Sequence, residues 1–261
     1  MSTDVQPVVT GEQPPADSVS QRFALARGRL AGAQKGNAAV PAYLRYVNRK
    51  AGGWFACLAF AVRLTPTQVS LLSAAAAVAG LVVLALAPAT VGVGVVVAGA
   101  LALAYALDSA DGQLARVRGG GTVAGEWLDH VLDIAKTTLL HSCVLITIYR
   151  HFAVDERWLL VPLAFLVAQV TNFFANMLRD ALRMQAGLPR QPPSTHVSAL
   201  SSLVLLPVDH GTLCWSFVLL GWHTAFLAGY TALAVIAVLF AVRALARTYR
   251  GLTTLDAGSP V

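Results

Sequence analysis

The sequence predicts an all-α integral membrane protein, in which six transmembrane helices follow an amphipathic juxtamembrane helix. Of the 261 residues, 56% are hydrophobic and only 12% are charged, whereas roughly a quarter of the residues in soluble domains are charged. Apolar stretches close to the roughly 20 residues that cross a bilayer recur through most of the chain. Basic residues collect on one side of these stretches, which predicts an orientation in the membrane.

The first 40 residues differ in composition from the rest and are expected to form a polar, disordered tail. Residues 1–20 are rich in Pro, Thr, Ser and Gln, a composition that buries too little apolar surface to fold. No basic segment leads into an apolar core there, so we do not expect a signal peptide. Four basic residues then approach the membrane: Arg22, Arg27, Arg29 and Lys35.

Residues 41–64 are predicted to form the juxtamembrane helix. Aromatic and aliphatic side chains alternate there with basic ones, a pattern typical of helices that lie on an anionic lipid surface. The Gly52-Gly53 pair is a candidate bend. An amphipathic helix that packs on the rest of the protein is the alternative interpretation.

Residues 65–250 form the predicted transmembrane domain, and residues 251–261 a short tail. Thr65 and Pro66 predict the start of the first span, because a capping hydroxyl and a proline at the first helical position favour a helix start. Three glycines of the second span predict close helix packing: Gly92, Gly94 and Gly99. The six predicted spans cover residues 67–87, 91–117, 122–149, 158–184, 196–222 and 223–249.

The basic residues predict that both termini are cytoplasmic. With the N-terminus in the cytoplasm, nearly every Lys and Arg falls on the cytoplasmic side, as positive-inside orientation requires. Arg150 and Arg157 fall on the opposite side, and Lys136 lies within a span. An even number of spans returns the C-terminus to the cytoplasm.

Four aspartates lie at the cytoplasmic ends of the second and third spans: Asp108, Asp111, Asp129 and Asp133. Helical spacing places the first two on one face of one helix and the last two on one face of the other. The Gly119-Gly120-Gly121 turn makes these helices adjacent and antiparallel, so the four carboxylates converge. Charge inside a membrane is costly unless it is compensated. The cluster therefore predicts a site for a hard divalent cation, Mg²⁺ or Mn²⁺.

Other interpretations of the cluster are surface aspartates paired with Arg116 and Arg118, a transporter or channel that relays cations or protons, and a non-catalytic interaction protein. The surrounding residues favour a phosphate ligand instead. Gly112 and Gly125 leave room for phosphates or a neighbouring helix. Arg116 lies one turn after Gly112 and can pair with a phosphate.

The run from Asp108 to Asp133 matches the pattern D-x2-D-G-x2-A-R-x8-G-x3-D-x3-D at every defined position. From about Tyr43 onward the chain therefore resembles the CDP-alcohol phosphotransferase family of integral membrane enzymes. The resemblance implies transfer of a substituted phosphate from a CDP-linked donor to an alcohol, with release of CMP. It also implies two Mg²⁺ or Mn²⁺ ions, a homodimer, and a bacterial cell membrane with the active site facing the cytoplasm.

The resemblance assigns roles to individual residues. Asp108, Asp111 and Asp129 are expected to bind the metals, and Asp133 to be a further ligand and the general base that takes the proton of the acceptor hydroxyl. The stretch T-P-T-Q-V-S that begins at Thr65 replaces the asparagine of the family's T-P-N-x-(V/I)-T. Nucleotide and pyrophosphate contacts are expected from six residues: Gly112, Ala115, Arg116, Gly125, Thr65 and Gln68.

The main expectation for the substrates is CDP-diacylglycerol as donor and a water-soluble alcohol as acceptor, with membrane lipids as surroundings and no nucleic acid as partner. The alternative is CDP-choline or CDP-ethanolamine acting on diacylglycerol. The stretch G-E-W-L-D-H from Gly125 to His130 resembles the G-E-L-F-D-H of that second branch. There Glu126 and His130 would help to activate the acceptor hydroxyl, and helix packing or support of the metal site is the other interpretation of His130.

Lys136 lies one turn beyond Asp133 and has two interpretations. It offsets the charge of the aspartates, or it joins three arginines in an anion site for a phosphorylated acceptor: Arg179, Arg183 and Arg190. The i,i+4 spacing of Arg179 and Arg183 permits the second interpretation. Both arginines equally fit the role of positive-inside anchors.

Overall fold

The computed structural model describes residues 18–32, 40–188, 202–203 and 205–258. All regular elements in these ranges are helical. The α-helices are α1 (Val19–Gly32), α2 (Arg49–Ala61), α3 (Pro66–Leu86), α4 (Val91–Val117), α5 (Val123–His151), α6 (Leu160–Gln185), α7 (His210–Ser216) and α8 (His223–Gly258). A π-helical turn precedes α2, and three 3₁₀ turns complete the described elements: Leu44–Asn48, then Glu156–Leu159, Leu206–Val208 and Phe217–Leu219.

Five of the described helices are long and apolar enough to cross a membrane, namely α3, α4, α5, α6 and α8. They coincide with the first four predicted spans and the last, with ends shifted by a few residues. One shift is larger, because α8 continues to Gly258. The first eight residues of the predicted C-terminal tail, 251–261, therefore continue the last helix.

The predicted fifth span, 196–222, lies partly outside the described residues. From residue 205 onward it consists of α7 and two flanking 3₁₀ turns. This segment nevertheless runs antiparallel to α4, since Asp209 accepts a hydrogen bond from the Tyr105 hydroxyl at 3.5 Å and Phe217 lies against Gly94. The count of six spans and the cytoplasmic termini stay predictions.

Close packing on α4 depends on one of the three predicted glycines. A Cβ atom at Gly94 would lie 2.2 Å from the carbonyl oxygen of Phe217, so any side chain there would displace backbone. The same atom at Gly92 or Gly99 would meet nothing within 4 Å. The prediction of close packing is thus correct for Gly94 alone.

The predicted disordered tail, 1–40, is wrong for residues 19–32, which form α1. Ala26 and Leu30 are buried in a cluster with residues of α2 and α4. The Arg22 guanidinium donates a hydrogen bond to the carbonyl oxygen of Ala61 at 2.7 Å, which ties α1 to the end of α2. Residues 1–17 and 33–39 lie outside the described part of the chain.

Residues 41–64, for which a juxtamembrane helix is predicted, contain the π-helical turn and α2, which continues through Gly52 and Gly53. These glycines bring α2 close to α4, because a Cβ at Gly52 would lie 2.8 Å from the Ser109 hydroxyl and one at Gly53 would lie 3.1 Å from the Gln113 amide oxygen. The inner face of α2 therefore packs on protein. Its outer face exposes Trp54.

Threonine side chains cap the N-termini of the three helices that surround the aspartates. Thr65 and Gln68 form a reciprocal capping box at the start of α3, and Thr90 and Thr122 cap α4 and α5. Between α4 and α5 the backbone turns at two glycines with positive φ, Gly119 at 94° and Gly120 at 140°, a conformation that favours glycine. Helix α3 packs against both α4 and α5, and two cavities are lined by residues of both α4 and α5.

Candidate active site

The four predicted aspartates converge in the space between α4 and α5. Ligand oxygens of Asp108, Asp111 and Asp129 all lie within 4.8 Å of one another, and so do ligand atoms of Asp129, His130 and Asp133. Asp129 belongs to both groups. The arrangement therefore consists of two overlapping sets of candidate metal-ligand atoms that share Asp129.

Asp111 is the most deeply held of the four carboxylates, with 6% of its surface exposed. It accepts a hydrogen bond from the Ser70 hydroxyl at 2.5 Å and another from the backbone N–H of Gly112 at 2.5 Å. Ser70 comes from α3, so three helices contribute to the site. These contacts fix the carboxylate and leave it lining a cavity.

Lys136 forms ion pairs with two of the aspartates. Its ammonium group pairs with Asp108, and it lies 2.9 Å from the Asp133 carboxylate. The three side chains are between 17% and 31% exposed, so solvent compensates little of their charge. The structure therefore supports the interpretation that Lys136 offsets the carboxylates.

A cavity of about 260 Å³ opens beside Asp111. Two arginines line it, Arg49 and Arg116. Burial lowers the pKa of Arg49 from its ordinary value. The electrostatic interaction with Tyr105 raises this pKa, and that with Arg45 lowers it. The other lining residues are Leu44, Asn48, Tyr105, Asp108, Ser109, Asp111, Gly112, Gln113 and Asp129.

Of the six predicted nucleotide contacts, Gly112 and Arg116 line this cavity. The other four have different contacts in the structure. Thr65 and Gln68 use their polar groups in the capping box, and the backbone N–H of Gly125 donates to the Thr122 hydroxyl at 3.0 Å. Ala115 lies beside the turn, 3.8 Å from the position of a Cβ at Gly121.

Sequence reasoning missed Asn48, Arg49 and Tyr105 as parts of the site. The sequence predicts an interfacial helix for Asn48 and Arg49, because basic residues at a membrane surface usually contact lipid. The one indication in the sequence is Asn48, an uncharged amide among basic residues that are typical of contacts with lipid headgroups. Only the packing of α2 on α4 shows that the pair faces the aspartates.

A second cavity, of about 200 Å³, lies on the other side of the cluster and is lined by Asp108, Asp133 and Lys136. It adjoins a groove of about 850 Å³ between α5, α6 and α8, since both are lined by Thr137, Phe173 and His210.

The groove is lined by the two residues that are predicted to help activate the acceptor hydroxyl. Glu126 and His130 lie 4.0 Å apart on α5 and both line the groove. The His130 ring packs edge-on against Phe173, with centroids 5.9 Å apart. Among the described residues its Nδ1 atom is buried without a hydrogen-bond partner.

The predicted anion site of Lys136 with arginines is not formed as one pocket. Arg179 and Arg183 line a separate cavity of about 240 Å³ together with Arg247 of α8, whereas Lys136 lines the cavity at the aspartates. Arg179 is paired with its neighbour Asp180 at 2.8 Å. The structure therefore does not bring Lys136 together with Arg179 and Arg183, and Arg190 lies outside the described residues.

Similarity to known proteins extends over most of the chain. A family model described as CDP-alcohol phosphatidyltransferase matches residues 63–242. The chain is similar to a crystal structure of the Mycobacterium tuberculosis phosphatidylinositol phosphate synthase PgsA1 in complex with manganese and citrate, with 27% identity, a TM-score of 0.52, and coverage of 75% of this chain and 87% of that chain.

A second crystal structure of the same synthase, with CDP-DAG bound, is 25% identical to this chain and has a TM-score of 0.52. That comparison covers 78% of this chain and 94% of the other. No curated protein matches the chain in sequence.

Proposed function

This chain belongs to the CDP-alcohol phosphatidyltransferase family, and from that membership we propose that it transfers a phosphatidyl group from CDP-diacylglycerol to a polar alcohol and releases CMP. It is a membrane-embedded transferase of phospholipid biosynthesis. The observation that carries the proposal is the converging aspartate cluster beside a cavity lined by Arg49 and Arg116. A structural neighbour with CDP-DAG bound supports the choice of donor.

The donor atoms of the cluster fit divalent metal ions. Mg²⁺ and Mn²⁺ prefer carboxylate oxygens. The two groups that share Asp129 fit two ions, with Asp108, Asp111, Asp129 and Asp133 as the carboxylate ligands, and the second group also includes His130. A neighbour that crystallised with manganese supports this assignment. When bound, such ions neutralise charge on the attacking and leaving oxygens of a phosphoryl displacement.

Residues of the chain itself account for binding and proton transfer in this proposal. Arg49 and Arg116 hold the pyrophosphate of the donor through charge-assisted hydrogen bonds and offset the charge that develops on CMP. The acceptor oxygen forms a bond to the phosphorus of the phosphatidyl group while the bond from phosphorus to the CMP oxygen breaks. The proton of the acceptor hydroxyl passes to the carboxylate of Asp133, which Lys136 holds in place at 2.9 Å.

The adjoining cavities suggest how an acceptor reaches Asp133. Asn176 lines both the arginine cavity and the large groove, and the groove adjoins the cavity at Asp133. We therefore propose that a phosphorylated alcohol binds through its phosphate to Arg183 and Arg247, with its hydroxyl directed along the groove. The site faces the cytoplasm of a bacterial cell in this proposal, and we expect a homodimer.

The function is tested by the release of labelled CMP from purified enzyme in detergent with Mn²⁺. We expect release from CDP-diacylglycerol that requires both an alcohol acceptor and the metal, and none from CDP-choline with diacylglycerol. If CMP is released from CDP-choline with diacylglycerol, but not from CDP-diacylglycerol, the result would support the aminoalcohol alternative. Glu126 and His130, which line the groove, are the residues relevant to that alternative. The transporter interpretation is not retained, because the family to which the chain belongs consists of transferases.

The acceptor pocket predicts a selective kinetic change in an arginine variant. Arg183→Gln is expected to raise the KM of a phosphorylated acceptor about tenfold, with the KM of CDP-diacylglycerol unchanged, because a charge-assisted hydrogen bond to phosphate contributes roughly 1.5–3 kcal/mol. Arg157→Gln is the matched control, because Arg157 has a 90% exposed side chain and does not line these cavities. An equal fall in activity at all acceptor concentrations would rule out an acceptor pocket at Arg183.

A further inference from the structure

We propose that Asn48 recognises the nucleoside part of the CDP-linked donor by accepting a hydrogen bond through its side-chain oxygen. This inference rests on the function proposed above and adds a specificity residue to it. Asn48 lies outside the residues that the family model matches. It is 1% exposed and lines the 260 Å³ cavity that also contains Arg49, Arg116 and Asp111.

The side-chain nitrogen of Asn48 has a hydrogen-bond partner among the described residues, and the side-chain oxygen has none. Its Nδ2 atom donates a hydrogen bond to the backbone carbonyl of Tyr105 at 3.1 Å. Its Oδ1 atom is buried, and within the described ranges it has no hydrogen-bond partner. Buried polar atoms in native proteins nearly always have a partner, so this oxygen requires a donor from outside the described protein atoms.

The orientation of the amide is determined by Tyr105. A backbone carbonyl oxygen only accepts hydrogen bonds, so the NH₂ group of Asn48 must face it. The reversed amide would place two acceptors against each other. Oδ1 therefore remains the atom with unfilled hydrogen-bonding capacity at the cavity.

The chemistry of the donor substrate limits what can bind to this oxygen. The ionised pyrophosphate and the ester groups of CDP-diacylglycerol carry no N–H or O–H, so they cannot donate to Oδ1. They suit Arg49 and Arg116, which are donors without acceptors. The nucleoside carries the exocyclic amino group of cytosine and the ribose hydroxyls. One of these groups is the partner that fits.

The backbone at Asn48 is specialised in a way that agrees with a binding role. Asn48 ends the π-helical turn, in which the N–H of Arg49 donates to the carbonyl of Leu44. Turns of this type are rare and are frequent at functional sites. The turn is anchored by Asp209, which is 2% exposed and accepts a hydrogen bond from the Leu44 N–H at 2.9 Å. The first residues of the juxtamembrane segment are thereby attached to α7.

The proposal is tested by nucleotide binding to the purified full-length enzyme in detergent with Mn²⁺. The ligands are CDP, UDP, 2′-deoxy-CDP and 3′-deoxy-CDP, and calorimetry gives each Kd. We expect wild type to prefer CDP over the analogue that lacks the contacting group by about tenfold. Asn48→Leu is expected to weaken CDP binding by a similar factor and to abolish that preference. The analogue whose disadvantage disappears identifies the group that contacts Oδ1.

Each other outcome overturns the assignment. Equal binding of all four nucleotides by wild type would do so without any variant, which covers the case in which Asn48→Leu does not fold. Retained discrimination in Asn48→Leu, or equal weakening of all four ligands, would show that Asn48 only packs or binds water. Thr147→Val, which removes a buried hydrogen bond to Leu84, is the control for general destabilisation. If wild type binds no CDP and releases no CMP, the proposed function itself fails.

Discussion

Asp111→Asn and Asp129→Asn are each expected to reduce turnover by more than about 100-fold, which is the upper range for loss of a residue that only supports a metal ligand. Both carboxylates belong to the group with ligand atoms within 4.8 Å of one another. An amide is a poorer ligand for Mg²⁺ or Mn²⁺ than a carboxylate, because it carries no charge. The amide that replaces the Asp111 carboxylate would keep an oxygen for the Gly112 N–H, so the fold should persist.

Two measurements separate loss of catalysis from loss of structure. CMP release gives turnover, and the thermal unfolding temperature in detergent, with and without Mn²⁺, shows whether each variant is folded and binds metal. Asp155→Asn is the matched control, since Asp155 has a 63% exposed side chain and lies outside the cluster. Wild-type activity in both cluster variants would disprove the metal assignment.

Local sequence patterns were sufficient to predict the aspartate cluster. The spacing of Asp108 and Asp111 and that of Asp129 and Asp133 fix which face of a helix carries each pair. Positive φ at Gly119 and Gly120 reverses the chain between them. Each of these inferences needs only neighbouring residues, and the structure brings the four carboxylates together as they require.

Inferences that depend on contacts between distant segments were less successful. Phe23, Ala26 and Leu30 repeat at helical spacing in α1, but the polar composition around them outweighed that pattern. The sequence predicts a lipid contact for Arg49, because composition cannot distinguish a residue facing lipid from one facing a cavity. The close approach of Gly52 to Ser109 decides that question, and it is a tertiary contact.

The same limit explains the outcome for the basic residues. Helical spacing shows that Arg179 and Arg183 share a face of α6, but it gives no distance from that face to Lys136. The structure places Lys136 between Asp108 and Asp133 and the arginines in another cavity. From the sequence alone, Lys136 could therefore offset the aspartates or belong to an anion site, and only the distances distinguish these interpretations.

Lys136→Met is expected to destabilise the metal-free protein by about 3 kcal/mol, the lower end of the range for breaking a buried ion pair. The substitution leaves the carboxylates of Asp108 and Asp133 close together without the cation that pairs with both. Methionine fills much of the volume of the lysine stem, so the loss reports charge rather than a cavity. Thermal unfolding in detergent with a chelator measures the change.

Divalent metal should reverse much of this loss, which is the result that distinguishes neutralisation from packing. Because metal and ammonium compete for the same carboxylate charge, saturating Mn²⁺ should raise the unfolding temperature of Lys136→Met more than that of wild type. Lys136→Arg keeps the charge and should behave like wild type in this respect. Equal destabilisation of Lys136→Met with and without Mn²⁺ would mean that Lys136 contributes through its aliphatic stem. A larger rise of the unfolding temperature with Mn²⁺ in Lys136→Met than in wild type would instead show that Lys136 neutralises the carboxylates of the metal site while no metal is bound.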